Sequence, residues 1–260
     1  MRSTPRLPAA AAIVLGFCGV FLMAQNATKP FRIYDNMFYK GKPATSHFGL
    51  IPSSILYENK IWTNPREIGS LPDRQTFQEL VLKALANPGP LVLDIESVSL
   101  KTHPEVARHN AMTLATLADW AHEAAPGKII GYYGTNTLTD IPPSNFSAAR
   151  ELARHVDAFF PPLYTFDDDR SRWEKRAKTS LLQCRELDPN KAVYFYLWPQ
   201  YHQGTPKALR YVDASYWKFQ LQTARQYGQG IVIWSRSRDE WDPSSGWWDA
   251  TQQFLRSLRS

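Results

Sequence analysis

The feature that most constrains this chain is an alternation. From Phe31 to the C-terminus, short apolar runs bounded by turn residues alternate with stretches of helical period. The runs are read as strands over 31–37, 91–95, 128–133, 156–160, 192–197 and 230–234, and the stretches between them as helices over 73–86, 104–124, 147–154, 170–187, 213–227 and 246–258. One more strand is expected at Ser54 to Tyr57, inside the irregular stretch 44–66. A run such as Leu91-Val92-Leu93 is apolar on both faces, as a strand must be when both are covered. Strands alternating with helices of this length imply a parallel sheet with right-handed crossovers. An open dinucleotide-type sheet would place a glycine-rich turn after its first strand; Met37-Phe38-Tyr39-Lys40-Gly41 is not one. A closed barrel instead collects polar and aromatic residues at the C-terminal ends of its strands. The chain does this repeatedly, with Tyr34-Asp35-Asn36, Asp94-Ile95-Glu96, Tyr132-Tyr133, Tyr164, Tyr196 with Trp198, and Trp234-Ser235-Arg236. The expected fold is therefore α/β, a (β/α) TIM-like barrel of seven or eight parallel strands.

The N-terminus is a different kind of sequence. Arg2 and Arg6 precede an apolar run from Ala9 to Met23, followed by small or polar residues. That is the layout of a secretory signal peptide, and the run is short of the roughly 20 apolar residues a membrane span needs. The expected organisation is a signal segment over 1–27, with an uncleaved anchor as the alternative, and a single barrel domain over 28–260. Location is then secreted or periplasmic. The exported part keeps one cysteine, Cys184, so an internal disulfide is excluded. The net charge of +6 falls to about +4 once Arg2 and Arg6 are removed. Such a surface attracts polyanions, acidic polysaccharides among them, but its basic residues are scattered and form no nucleic-acid stripe. No nucleic acid and no membrane partner beyond the signal segment is expected, and a monomer is the expected state.

The chemistry points to Leu91-Val92-Leu93-Asp94-Ile95-Glu96. Alternate strand residues face the same way, so Asp94 and Glu96 share a face while Ile95 takes the other. Two neighbouring carboxylates repel, so one holds its proton to higher pH. A protonated acid near neutrality is what glycoside hydrolysis requires at the leaving oxygen. Glu96, further along the rim and longer, is assigned as general acid/base, with Asp94 as its tuning and orienting partner. Enzymes with a protein nucleophile usually take their two carboxylates from opposite sides of the sugar, about 5–5.5 Å apart. A pair at i and i+2 lies on one side and suits substrate assistance, in which a 2-acetamido oxygen attacks the anomeric carbon.

Asp94-Ile95-Glu96 at the end of an apparent third strand resembles the D-x-E signature of the hyaluronidase family of glycoside hydrolases. Phe160-Pro161-Pro162-Leu163-Tyr164, Ala192-Val193-Tyr194-Phe195-Tyr196 with Pro199, and Gly230-Ile231-Val232-Ile233-Trp234 are similar, in order, to later strands of that family. The resemblance spans roughly residues 90 to 235. It implies Tyr164 and Trp234 as substrate-positioning residues, joined by Tyr133. Tyr196 and Asp35, at strand ends, complete the candidate substrate-binding set. D-x-E strands also occur in chitinase-like and muramidase-like barrels.

The expected function is an exported glycoside hydrolase acting on a polysaccharide with N-acetylated sugars, with Glu96 as proton donor and retention by substrate assistance. Two alternatives stay open: a non-catalytic barrel that binds glycan or cell-wall polymer, and a glycosidase using Asp35 or Asp239 as its second carboxylate. No cofactor or metal is expected. Asp167-Asp168-Asp169 lacks the alternating spacing of a calcium loop and suits a helix start. The histidines show no zinc-ligand spacing, although His202 could line a cleft. Ser235 has no G-x-S-x-G elbow around it. Asn145-Phe146-Ser147 is a glycosylation sequon.

Overall fold

The structure is a computed structural model describing residues 30–134, 138–139 and 141–259, so the signal segment expected over 1–27 lies outside the described residues. Among the described residues there are eight strands: β1 (Arg32–Asn36), β2 (Ile51–Pro52), β3 (Ser54–Tyr57), β4 (Leu91–Asp94), β5 (Ile130–Tyr132), β6 (Ala158–Phe159), β7 (Ala192–Leu197) and β8 (Gly230–Trp234). All of them pair in parallel. Two ladders form, β2-β1-β8-β7-β6 and β3-β4-β5.

Two seams join the ladders into a ring. At the first, the chain changes partner at Ser53. The Ser53 N–H donates to the Asp35 carbonyl of β1 and the Ser54 N–H to the Pro90 carbonyl before β4, both at 2.9 Å. β2 and β3 therefore act as one stave. At the second seam, Tyr133 bridges Phe160 in parallel, and the Gly134 N–H donates to the Phe160 carbonyl at 3.1 Å. The result is a closed barrel of seven staves, and closure leaves no exposed edge strand among the described residues. Gly131 permits the approach of β5 to β6. A Cβ there would lie 2.5 Å from the Ala158 carbonyl oxygen and 2.6 Å from the Phe160 ring.

Helices α1 (Glu58–Ile61), α2 (Arg74–Lys83), α3 (Pro104–Ala124), α4 (Phe146–Arg154), α5 (Arg170–Leu187), α6 (Ala214–Tyr227) and α7 (Trp247–Ser257) follow the strands and surround them. Their starts follow elementary capping. Asp73, Asp169 and Asp213 each accept a backbone N–H from three residues on, which satisfies an otherwise orphaned donor. Asp169 is the last of the three consecutive aspartates, so that run does begin a helix. Pro104 opens α3, where its missing N–H costs nothing. The Ala107, Ala111, Leu114, Ala118 and Ala121 stripe of α3 is fully covered against the barrel. Trp247 and Trp248 are buried where α7 closes the ring, and Cys184 is buried within α5. Asn145 is also buried, its amide donating to the carbonyls of Leu100 and Thr102, so the sequon is not open to modification.

There are two apolar layers. Outward-facing residues of the staves (Leu91, Leu93, Ile130, Val193, Phe195, Ile231 and Ile233) pack under the helices. Inward-facing residues (Tyr34, Val92, Phe160, Tyr194, Tyr196 and Val232) fill the barrel itself. Tyr34 meets Tyr194 edge-on with ring centroids 5.1 Å apart, and Phe160 lies 5.6 Å from Tyr194. This aromatic plug forms the floor on which the cavity described next stands.

Candidate active site

On β4 the two-residue period runs past the end of the ladder. Leu91, Leu93 and Ile95 are fully buried under the helices, whereas Val92 enters the barrel plug and Asp94 and Glu96 line a cavity above it. The cavity measures about 470 Å³, of a size to hold sugar rings. Asp94 lies deep and Glu96 is exposed at the mouth. The expected same-side pair is thus present and open to solvent.

The remaining walls come from the other staves at the same end. Tyr133 follows β5, Tyr164 stands beyond β6, Tyr196 and Trp198 lie along and after β7, and Trp234 ends β8; all five line the cavity. The rings brace each other. Tyr196 meets Tyr133 edge-on at 5.3 Å, Tyr164 stacks on Trp234 at 5.7 Å, and Trp198 meets Trp234 edge-on at 5.0 Å. Trp234 is further held by its indole N–H, which donates to the Tyr57 hydroxyl at 3.2 Å. Trp198 donates to Gln200 Oε1 at 2.8 Å, and the same oxygen accepts the Tyr39 hydroxyl at 3.0 Å. Such bracing fixes ring orientation before any ligand arrives.

Polar supply is concentrated at the bottom. Asp94 Oδ1 and the Tyr196 hydroxyl are buried without a hydrogen-bond partner. Buried polar groups are nearly always satisfied, so two orphans lining one cavity mark where a ligand's polar atoms belong. Burial first, then the Glu96 and Glu58 charges, push the Asp94 carboxyl up to about 7. Glu96 is also raised, again by burial first and then by Glu58. The stronger upward push therefore falls on the deeper residue, Asp94, rather than on Glu96 as expected from the sequence. Desolvation, which depends on depth in the barrel, outweighs the simple repulsion of the pair.

No family model matches this chain, and no curated protein sequence matches it. Solved structures do. Bee venom hyaluronidase superposes with a TM-score of 0.63 at 15% identity, covering 88% of this chain and 96% of that one. The bee venom enzyme in complex with a hyaluronic acid tetramer gives the same TM-score at 13% identity over the same shares. A GH18 chitinase from Pseudoalteromonas aurantia gives 0.52 at 16% identity, covering 80% of this chain and 78% of its own. The barrel is of their kind. At such identities the likeness is one of fold, and the site has to be read from its own residues.

One expected residue is not in the cavity. Asp35 takes the outward phase of β1, where it is buried and held by Lys42, by the Thr45 hydroxyl and by the Met37 N–H at 2.9 Å. Its place as a substrate-binding residue is corrected: it ties the loop after β1 to the barrel. Asp239, the other candidate second carboxylate, pairs with Arg236 at 2.9 Å and does not line the cavity. The sequence reading named Trp198 and Arg236 at strand ends but left them, with Arg176, out of the candidate substrate-binding set. Extending the alternation of Tyr194 and Tyr196 by one step would have turned Trp198 into the cavity, and extending it from Trp234 would have done the same for Arg236. Arg176, which reaches in from α5 and donates to the Tyr164 carbonyl at 2.7 Å, carries no local signal at all. His202 lines the cavity and stacks on Tyr164 with centroids 6.0 Å apart. A second cavity of about 460 Å³ shares Gln203, Trp234 and Arg236 with the first, so the cleft continues past the Trp234 ring.

Proposed function

We propose that this protein is a glycoside hydrolase that cleaves a polysaccharide carrying N-acetylated sugars. Glu96 is the proton donor, and the sugar's own acetamido oxygen is the nucleophile. The observation that carries this reading is the pair itself: an exposed Glu96 and a deep, unpartnered Asp94 on one wall of an aromatic-lined cavity. Among the described residues that line it, these two are the only carboxylates. A nucleophilic carboxylate on the opposite wall is what an ordinary retaining mechanism would need. The barrel shared with a hyaluronidase and a GH18 chitinase supports the same reading.

In the first step Glu96 gives its proton to the glycosidic oxygen as the bond from the anomeric carbon to that oxygen breaks. The acetamido carbonyl oxygen bonds to the anomeric carbon, closing a cationic five-membered ring. Asp94, ionised, accepts the acetamido N–H and offsets the developing positive charge. In the second step the Glu96 carboxylate takes a proton from water as the water oxygen attacks the anomeric carbon and reopens the ring. Two inversions leave the configuration retained. At rest, burial favours the proton on Asp94. A polymer lying over the mouth removes water from Glu96 and draws the shared proton outward. Tyr133, Tyr164, Tyr196 and Trp234 hold the reacting sugar, and the continuation past Trp234 accommodates its neighbours in the chain. Export to the cell exterior or periplasm, on the strength of the signal-like segment, places the enzyme where such polymers occur.

The test is reducing-end release from a panel of polysaccharides, from acid to neutral pH, by wild type and Glu96→Gln. Release by wild type and none by the variant, with retained anomeric configuration in the first product, is the expected result. Equally fast cleavage of polymers lacking acetamido groups would remove substrate assistance. Tight glycan binding by a wild type that releases nothing would make this a binding barrel.

A further inference from the structure

A third carboxylate touches the chain that carries the pair. β3 runs in register with β4, Tyr57 opposite Asp94, and then turns away into α1. The backbone N–H groups of Glu96 and Ser97 are thereby left beyond the last rung of the ladder. Glu58, the first residue of α1, replaces the missing strand. Its Oε2 accepts the Glu96 N–H at 3.1 Å and the Ser97 N–H at 2.9 Å, and its Oε1 accepts the Ser97 hydroxyl at 2.8 Å. A half-buried carboxylate accepting three donors from consecutive residues is a strong, directional clamp.

Resting on the hydrolase reading above, we propose that Glu58 is a positioning residue for this site: it clamps the turn from which Glu96 projects and presents a third negative charge to the Asp94–Glu96 pair. The clamp explains how an exposed acid past the end of a strand keeps one direction into the cavity. The charge acts on the same two residues, since Glu58 raises both Asp94 and Glu96 after burial has done so. Other ionisable groups face the pair from neighbouring staves. Burial raises Tyr57, Tyr164 and Tyr196 and keeps them protonated at neutral pH, and Tyr133 lines the cavity with Tyr164 and Tyr196. Arg176, Arg236 and His202 line the same cavity. Removing the Glu58 charge takes away one of the influences that raise the pair, so both carboxyls release their protons at lower pH.

Carboxyl-carbon NMR titration of the folded protein, labelled at Asp and Glu, reads this without any substrate. Asp94→Asn and Glu96→Gln assign the resonances. In Glu58→Gln the Asp94 and Glu96 titrations are expected about 1 pH unit lower than in wild type. Glu58→Asp, which keeps the charge, should restore most of that shift. On a cleaved polysaccharide, Glu58→Gln should lower kcat about tenfold with KM little changed, and move the alkaline limb of kcat/KM to lower pH by the same amount. Unchanged titrations in a folded Glu58→Gln protein would overturn the proposal, whatever happens to its melting temperature. Shifted titrations in a protein that cleaves no glycan would overturn the hydrolase reading and leave the role of Glu58 standing.

Discussion

Asp35 and Asp94 sit near the C-terminal ends of two barrel strands and have opposite fates. Asp35 faces out of the ring and has its oxygens taken up by Lys42, Thr45 and the Met37 N–H. Asp94 faces into the ring, one oxygen has no partner, and its carboxyl is raised to about 7. The same side chain at the same end of the barrel is a structural tie in one place and an unsatisfied group in a cavity in the other. The difference arises from strand phase. Moving one residue along a strand changes which layer receives the side chain, and so which partners it meets. A protein that buries a carboxylate normally surrounds it with donors, as at Asp35; where it withholds them, the donor is left for something else to bring.

The largest expected effect sharpens this contrast at the mouth of the cavity. Glu96→Gln should lower kcat for reducing-end release by about 10²–10⁴-fold, the range for loss of a general acid, with the fold intact by circular dichroism. The same substitution pattern at the two aspartates should then split activity from stability. Asp35→Asn breaks a buried ion pair and should cost about 2–3 kcal/mol, lowering Tm by roughly 4–12 °C in calorimetry. Activity per folded molecule should stay within about twofold. Asp94→Asn should do the reverse, losing most activity while melting above wild type at alkaline pH.

The sign of that last effect follows from linkage. The Asp94 carboxyl is raised from 3.8 to about 7, so between those values the folded state holds a proton that the unfolded chain has released. Its contribution to stability is full below about pH 4 and is lost as pH rises through about 7. Asn cannot titrate, so the variant escapes the loss, and the two melting curves should converge in acid. A Tm for Asp94→Asn below wild type at pH 8 would mean that Asp94 is satisfied after all and resembles Asp35. For the enzyme, kcat/KM should fall about tenfold per pH unit above pH 7, as the pair loses its shared proton. A flat profile to pH 9 would break the link between Asp94 burial and turnover. The smallest effect is expected at the second orphan. Tyr196→Phe removes a buried, unpartnered hydroxyl, so Tm should change by less than about 2 °C while activity drops about tenfold.

Much of this arrangement was legible in the chain. The bounds of α3, α5, β3, β7 and β8 coincide with the expected ones, because apolar period and capping residues are local signals. The pair on β4 was legible for the same reason, since Leu91, Leu93 and Ile95 set the outward phase without ambiguity. β1 offered no such guide. In Ile33-Tyr34-Asp35-Asn36 both phases carry a polar residue, and which one enters the barrel is decided by pairing with β2 and β8. Glu58 was also invisible, because its partners at Glu96 and Ser97 are far away in sequence and are met only through the β3–β4 register.

The sequence by itself determined the alternation of strands and helices, the parallel sheet that this alternation requires, and the fact that Asp94 and Glu96 share a side. Each of these depends on residues a few positions apart, whose directions are set by backbone geometry alone. Only the tertiary structure decided that seven staves close the ring, that Asp35 turns out of it, and that Asp94 lies deeper than Glu96 beside a third carboxylate. Those outcomes depend on which strands become neighbours and how far each residue sits below the rim, and no local period records either quantity.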